Sequence, residues 1–272
     1  MREHIDNCVY HVEILPPKHD SDKLDADLQA FAEKYNRVMD SGYCAGVTDN
    51  TMGLLAFQGY ELIEHLGLRV LPEQVILHLN TFHSKCDLDN ILTKCTQMGI
   101  KYLLIISGDG SARLPKLSPG DLNITGTASV TSVELLAYIG KNYPDFVLGA
   151  AFNPYEPAEE EFAKLERKLA AGAKFIVSQP IIEQNAIVNE LLEKHPDVPV
   201  ILEAWMSKKL HLLSDAVGYI IPENAEYDPL LVLEDLHRWY PQCGVYLSLL
   251  GFKTQYHIID GLWARLVKEG AL

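Results

Sequence analysis

Short apolar segments recur along the chain, and each is followed by a longer segment in which apolar residues have helical spacing. The clearest is 102–106, Tyr-Leu-Leu-Ile-Ile, which shows no alternation. Such a run is typical of a strand buried on both faces, as in a parallel sheet covered by helices. It ends at Ser107, Gly108, Asp109 and Gly110, where two glycines permit a sharp turn around a carboxylate. That carboxylate either caps the turn or serves chemistry.

This pattern predicts eight strand-then-helix units. Strands are predicted at 9–15, 43–48, 75–79, 102–106, 147–152, 175–178, 200–202 and 245–250. Helices are predicted at 23–40, 54–66, 88–98, 132–143, 157–171, 183–194, 208–217, 230–239 and 256–267, and a long loop at 111–130. Eight such units in 272 residues predict an α/β fold, a (β/α)8 TIM barrel forming a single catalytic domain over residues 1–272.

A doubly wound open sheet is the alternative architecture. It would normally carry a Gly-rich nucleotide motif after the first strand, but that strand ends in Pro16 and Pro17. The Gly-Asp-Gly at 108–110 lacks the third glycine, because position 113 is Arg. The barrel is therefore favoured.

Composition excludes several classes of protein. The formal net charge of −14 argues against binding to nucleic acid or to an anionic membrane, which needs clustered Lys and Arg. The five cysteines are odd in number and show no CxxC spacing, so we expect reduced thiols and neither disulfides nor a metal site. No segment approaches the length of a membrane span, and the N-terminus lacks an apolar signal core. We expect a cytoplasmic protein.

Polar residues follow the predicted strands, and in a TIM barrel the loops after the strands build the active site. Any one of them has an ordinary explanation, such as capping the next helix or, for the histidine, bonding within the core. The set comprises Glu13, Thr48, Asp49, Asn50, His78, Asn80, Asp109, Asn153, Gln179 and Glu203.

Glu13 differs from the others because it lies within a strand. Alternation puts it on the face opposite to Tyr10, Val12 and Ile14, so it points into the barrel if those three pack against the helices. Burial raises the pKa of a carboxyl group, which suits a general acid working near neutral pH. A buried structural Glu paired with an Arg is the alternative.

Three of these groups are expected at one mouth. Glu13 and Asp109 project toward it, and Gln179 supplies a neutral amide between them. Such a set suits a flat heteroaromatic ligand with several ring nitrogens and carbonyls.

Six motifs in register resemble those of the 5,10-methylenetetrahydrofolate reductase family. They are the acid followed by Pro-Pro and a basic residue at 11–18, Gly-Val-Thr at 46–48, His-Leu-Asn-Thr at 78–81, Ser-Gly-Asp at 107–109, Ala-Ala-Phe-Asn-Pro at 150–154, and the segment 167–179 that ends in Ser-Gln. Order and spacing hold from residue 9 to about 180. Each motif alone is weakly specific, whereas six in order are strongly specific.

The resemblance implies a barrel that carries FAD and reduces methylenetetrahydrofolate to methyltetrahydrofolate with NAD(P)H. It makes Glu13 the acid that protonates folate N10 and Asp109 a second catalytic group beside flavin and pterin. The substrate-binding residues that it implies are Glu13, Asp109, Asn153 and Gln179. The cofactor-binding residues that it implies are Thr48, His78, Gly108 and Lys168.

Several positions depart from the family pattern. Ser107 stands where the family has an Arg at the flavin, Phe152 replaces a Tyr, and Glu156 stands about where a His meets the flavin. Gly251 occupies the place of an Arg that helps to hold folate, and Leu-Glu-Ala at 202–204 replaces a Pro-Gly motif. The acid is retained, while anion-binding groups of the flavin site are not.

Three functions follow from this combination. The first is a methylenetetrahydrofolate reductase that uses flavin through an altered site or takes hydride directly from NAD(P)H. The second is a flavin-free folate-binding homologue that transfers a methyl group to or from tetrahydrofolate. The third is a catalytically silent partner subunit, which retention of Glu13, Asp109 and Gln179 disfavours. The expected partner is a folate small molecule; a homo-oligomer or a complex with another enzyme of one-carbon metabolism is left open.

Overall fold

The computed structural model describes residues 10–253, 255, 256 and 259, which form a closed barrel of eight parallel strands in sequence order. The strands are β1 (Tyr10–Ile14), β2 (Cys44–Val47), β3 (Val75–Leu79), β4 (Tyr102–Ile105), β5 (Val147–Phe152), β6 (Ala173–Pro180), β7 (Val200–Trp205) and β8 (Gly244–Ser248). The helices are α1 (Leu24–Asp40), α2 (Gly59–His65), α3 (Lys85–Gln97), α4 (Ser132–Asn142), α5 (Ala158–Ala170), α6 (Ala186–Lys194), α7 (Leu210–Val217) and α8 (Pro229–Trp239). The predicted (β/α)8 TIM barrel is confirmed. Most of the helix predicted at 256–267 lies outside the described residues.

Most strands divide their apolar side chains between two clusters, because successive residues point to opposite faces of the sheet. In β4, Leu103 and Ile105 join the large cluster between barrel and helices, whereas Tyr102 and Leu104 join a smaller cluster inside the barrel. All four are buried, as the unalternating run in the sequence predicts. Among the helices of the described residues, none is long and apolar enough to cross a membrane.

The connection from β2 to α2 differs from the prediction. A helix is expected from residue 54, but α2 begins at Gly59. Ala56 instead forms an antiparallel bridge with Lys18, which holds this segment extended. Gln58 and Glu61 then form the capping box that starts the helix. A 3₁₀ turn, Thr51–Gly53, fills the remaining loop beside the barrel mouth.

The long loop at 111–130 is packed onto the core. Leu114, Leu117 and Leu122 are buried, and the Leu117 amide donates to the Thr81 carbonyl at 3.0 Å. The polar composition of this segment correctly predicts a loop. Its three buried leucines pack it against the rest of the fold.

Two interior glycines make room for aromatic rings inside the barrel. A Cβ at Gly149 would lie 2.3 Å from the Phe175 ring, and one at Gly46 would lie 2.8 Å from the Tyr246 ring. These rings fill the space that the missing side chains leave, so the barrel interior around them is a packed core.

We expect Gly149→Ala to destabilise the protein by about 1–3 kcal/mol, because the added methyl group forces Phe175 out of its position. The free energy of unfolding in urea measures the effect. Gly120→Ala is the control: Gly120 is exposed and its Cβ would meet nothing closer than 3.7 Å, so a change within about 0.5 kcal/mol is expected. Equal losses in both variants would contradict this account of the packing.

Candidate active site at the mouth of the barrel

Glu13 points into the barrel from β1, as the alternation of that strand predicts. The Tyr246 hydroxyl donates to Glu13 Oε2 at 3.3 Å, and the Ser248 hydroxyl lies 3.5 Å from the same oxygen. Tyr10 and Val12 pack in the outer cluster, on the opposite face of the strand. Glu13 is thus an interior carboxyl group whose neighbours are hydroxyl groups.

A second carboxyl group, that of Glu203 on β7, lies beside the first. The Ser248 hydroxyl donates to Glu203 Oε1 at 2.5 Å, and Glu203 pairs in register with Tyr246. The sequence places Glu203 at a strand end but does not identify Tyr246 and Ser248. The available signal is alternation, since two hydroxyl side chains two residues apart in β8 must share a face.

Burial gives both carboxyl groups unusual proton affinity. It raises the pKa of Glu13 from 4.5 to about 7, against the lowering effect of the hydrogen bonds from Tyr246 and Ser248. Burial, and then the charge of Glu13, raises the pKa of Glu203 to about 8. Within the described residues neither group forms an ion pair with Lys or Arg, and their hydrogen-bond partners are hydroxyls. The structure therefore disfavours the alternative of an Arg-paired structural Glu.

His78 extends this arrangement across the barrel from β3. Its Nε2 atom lies 3.4 Å from the Tyr246 hydroxyl, and burial lowers its pKa to about 4. The imidazole is therefore neutral at pH 7. We call Glu13, Glu203, Ser248, Tyr246 and His78 together the carboxyl network.

Asp109 lies on the solvent side of the mouth, in the loop after β4. Its Oδ2 atom accepts a hydrogen bond from the Met52 amide at 3.0 Å, and the side chain is exposed. Met52 has the left-handed conformation that non-glycine residues rarely adopt, with φ of 57°. Asp109 thus stabilises the loop after β2 through this hydrogen bond. Its catalytic role stays a prediction.

The Gly-Asp-Gly turn requires its first glycine. Gly108 has φ of 78°, and a Cβ there would lie 2.6 Å from the Cβ of Asn80. This close approach seats the loop after β4 on the loop after β3. A cofactor contact by Gly108 also stays a prediction.

Gln179 and Asn153 lie at the ends of β6 and β5. Gln179 is half-buried, and alternation puts it on the interior face with Val177. The side-chain oxygen of Asn153 accepts a hydrogen bond from the Tyr155 backbone amide at 3.0 Å. The backbone amide of Asn153 donates to Glu161 Oε1. Asn153 therefore shapes the turn into α5, and the substrate contacts expected of both residues stay predictions.

A buried hydrogen-bonded cluster joins the loops after β2 and β3. Asp49 Oδ2 accepts from the Asn80 amide at 2.8 Å and lies 2.7 Å from His83 Nε2. Gln58 donates to the other carboxylate oxygen at 3.3 Å. This cluster fixes the rim next to Thr48, whose buried hydroxyl has no hydrogen-bond partner among the described residues.

Lys168 lies behind the barrel wall. Its ammonium group donates to the Ala151 carbonyl at 2.7 Å and lies 3.8 Å from Glu161 Oε1. The group is buried between α5 and β5, and burial lowers its pKa. An ammonium group already held in this way is poorly placed to meet a cofactor phosphate.

In the part of the chain that the structure describes, the residues at the positions expected to contact the flavin do not fit FAD. Its diphosphate and its reduced ring need cationic groups or N–H donors. Ser107 offers an exposed hydroxyl, Glu156 an exposed carboxylate, and Phe152 packs outside the barrel with its ring 5.5 Å from that of Phe162. The cationic Lys168 is engaged elsewhere.

The fold and site define a class: a TIM barrel with a pair of proton-binding carboxyl groups at the carboxyl ends of its strands. Residues 1–222 match the model of the family described as methylenetetrahydrofolate reductase. The chain belongs to the methylenetetrahydrofolate reductase family. By sequence it matches none of the curated proteins.

Two solved structures show the same fold at low sequence identity. One is a protein from Clostridium thermocellum described as binding two copies of 5-methyl-5,6,7,8-tetrahydrofolic acid, with 12% identity, a TM-score of 0.65 and coverage of 96% of each chain. The other is PhdJ bound to a substrate intermediate, with 12% identity, a TM-score of 0.53, and coverage of 97% of this chain and 75% of that one.

We expect the stability of the protein to fall as pH rises from about 6.5 to about 8. In the folded state Glu13 and Glu203 give up their protons only as the pH passes about 7 and about 8, whereas unfolded glutamates lose theirs near 4.5. For each carboxyl group, the free energy of unfolding falls by at most ~1.4 kcal/mol per pH unit, and the fall ends above the pKa of that group in the folded state. Below pH 6.5 the lowered pKa values of His78 and His237 act in the opposite direction, because those rings resist protonation in the folded state.

Urea unfolding at pH 6.5 and pH 8 measures this difference. In Glu13→Gln one of the two titrating groups is absent, so the fall should shrink. A stability that is level across the interval, or a fall of equal size in the variant, would contradict the raised proton affinity of Glu13.

Proposed function

We propose that this chain is an enzyme that binds a reduced folate and reduces 5,10-methylenetetrahydrofolate to 5-methyltetrahydrofolate, with Glu13 as general acid. The observation that carries the proposal is the half-buried Glu13 carboxyl group at the barrel mouth, whose pKa desolvation raises to about 7. Such a group is still substantially protonated at neutral pH, and a pKa near the working pH is best for proton transfer. Membership of the family supports this choice of substrate.

The reaction needs one proton and one hydride. Glu13 donates its proton to N10 of the folate, the bond between N10 and the bridging carbon breaks, and an iminium forms at N5. A hydride from NAD(P)H then adds to that carbon and gives the 5-methyl group and oxidised nicotinamide. Glu13 recovers a proton from water. This route uses no flavin, in keeping with the poor fit of FAD.

The other groups at the mouth are assigned to binding. Gln179, Asp109 and Asn153 are the proposed partners of the pterin and its substituents, since amides and carboxylates match its alternating donors and acceptors. Thr48, His78 and Gly108 are the proposed contacts of the nicotinamide. The unpartnered hydroxyl of Thr48 supports a ligand there, because a buried hydroxyl normally has a partner.

Methyl transfer is the second candidate function. It is favoured by the neighbouring structure described as binding 5-methyl-5,6,7,8-tetrahydrofolic acid and by the same poor fit of FAD. In that reaction the bond between N5 and the methyl carbon breaks, the methyl group passes to a nucleophilic acceptor, and Glu13 supplies the proton that N5 takes up. Both candidates assign the same acid to the same ligand class.

We expect Glu13→Gln to reduce kcat by about 10²-fold or more, because the amide cannot donate a carboxyl proton. Folate affinity should change by less than a few-fold, since the substitution keeps the shape of the side chain. Nicotinamide absorbance follows turnover, and titration calorimetry with 5-methyltetrahydrofolate follows binding. Glu64→Gln is the control, because Glu64 is a surface residue on α2 paired with Lys94 and should leave both quantities unchanged.

Three outcomes would count against the proposal. Turnover that survives in Glu13→Gln would remove Glu13 as the acid. A wild-type protein without affinity for 5-methyltetrahydrofolate would remove both candidate functions. A purified protein with a flavin absorbance that NADH bleaches would replace direct hydride transfer by a flavin route.

A further inference from the structure

Three consecutive strands place two carboxyl groups on either side of one hydroxyl. Glu203 of β7 lies 2.5 Å from Ser248 Oγ, and Glu13 of β1 lies 3.5 Å from the same atom, on the opposite side of β8. Both glutamates point into the barrel from positions in register within the sheet, Glu13 opposite Gly46 and Glu203 opposite Tyr246. The arrangement is therefore built into the fold.

Among the described residues, no positively charged group faces this pair. The groups that face it are Tyr246 and Ser248 from β8, neutral His78 from β3 and, on alternation, Gln179 from β6. Burial raises the pKa values of the Tyr155 and Tyr227 hydroxyls, and the charge of Glu203 is a smaller contribution to each. The charge of Asp49 also acts on His78, where it opposes the lowering of the pKa by burial.

Two adjacent carboxylates in such an interior repel each other strongly, because the low dielectric constant screens them little. The usual resolution is that the pair retains one proton. A serine hydroxyl can mediate this sharing, since it accepts from one carboxyl group while it donates to the other. The 2.5 Å separation is typical of a hydroxyl bonded to a carboxylate.

We infer that Glu13 and Glu203 share one proton through the Ser248 hydroxyl, and that Glu203 is a positioning residue that keeps Glu13 in its acid form until the ligand takes the proton. The second part rests on the proposed function, whereas the first concerns the protein alone.

The proton transfer balances without a further reagent. When the proton is on Glu203, its O–H donates to Ser248 Oγ and the Ser248 O–H donates to Glu13. The O–H bond at Glu203 breaks, the serine proton passes to Glu13, and the serine recovers the proton of Glu203. Donation from Glu13 to the ligand nitrogen then leaves two carboxylates, and one proton from water restores the resting pair.

Infrared spectroscopy of the full-length protein tests the shared proton directly. We expect the carbonyl band of a protonated carboxylic acid at pH 7, sensitive to ¹³C-labelled glutamate and lost as pH rises past about 8. In Glu203→Gln the repelling charge is gone and Ser248 is free to donate to Glu13. The midpoint of the remaining band should therefore move to lower pH by roughly one unit.

Ser248→Ala gives a change of the opposite sign. It removes the hydrogen bonds that lower the pKa values of both carboxyl groups, so the midpoint should move to higher pH. Glu64→Gln, at the surface, should leave the titration as in the wild type. A merely structural role for Glu203 would not produce these opposite shifts.

The results decide the inference as follows. Absence of a protonated carboxyl band at pH 7 in the wild type overturns it, and so does an unchanged midpoint in a folded Glu203→Gln. If circular dichroism shows that Glu203→Gln does not fold, Ser248→Ala decides, and an unchanged midpoint there overturns the inference.

Kinetics test the link to catalysis separately. In Glu203→Gln the alkaline limb of the kcat profile for methylenetetrahydrofolate reduction should move to lower pH by roughly one unit, with KM unchanged. A shifted infrared midpoint with an unmoved kcat profile would overturn the positioning role and leave the shared proton. A wild type without turnover would overturn the proposed function, and the infrared result would still stand.

Discussion

The pairing of β8 with β1 is the constraint on which the rest of the structure depends. It closes the barrel through the pairs of Tyr10 with Val245, His11 with Tyr246 and Val12 with Leu247. An open sheet would leave the edges of both strands unpaired. Closure also brings residues more than 230 positions apart into hydrogen-bond contact, including Glu13 and Tyr246. The site is thus a direct product of the fold.

The carboxyl network places ionisable groups where burial is costly. Glu13 and Glu203 are held by hydroxyl donors in place of cations, so their charge is controlled by protons. The buried Lys168 and Glu161 illustrate the other solution, since they lie 3.8 Å apart behind the barrel wall. Behind the barrel wall, the charge of Glu161 is balanced by Lys168. At the mouth, the charges of Glu13 and Glu203 are balanced by protons.

Alternation and element length were sufficient to predict the barrel and the direction of Glu13. The partners of Glu13 could not be predicted in the same way, because contacts between strands far apart in sequence depend on the register of the sheet. Ser248 and Tyr246 are ordinary strand residues until β8 is placed beside β1. The start of α2 was missed for a similar reason, since the bridge between Lys18 and Ala56 is a tertiary contact. Local pattern carries no information on such contacts.

The aromatic packing that Gly149 and Gly46 permit has a consequence for the timing of events at the site. Phe175 and Tyr246 fill the interior of the barrel beside the acids, and the Tyr246 hydroxyl contacts Glu13 itself. In the proposed reaction, a flat ligand at the mouth would cover the open side of this packed interior. Glu13 would then donate one proton to each bound ligand and regain a proton from water after the product leaves. In that case the packing around the acid, and not its acidity alone, would set the order of the steps.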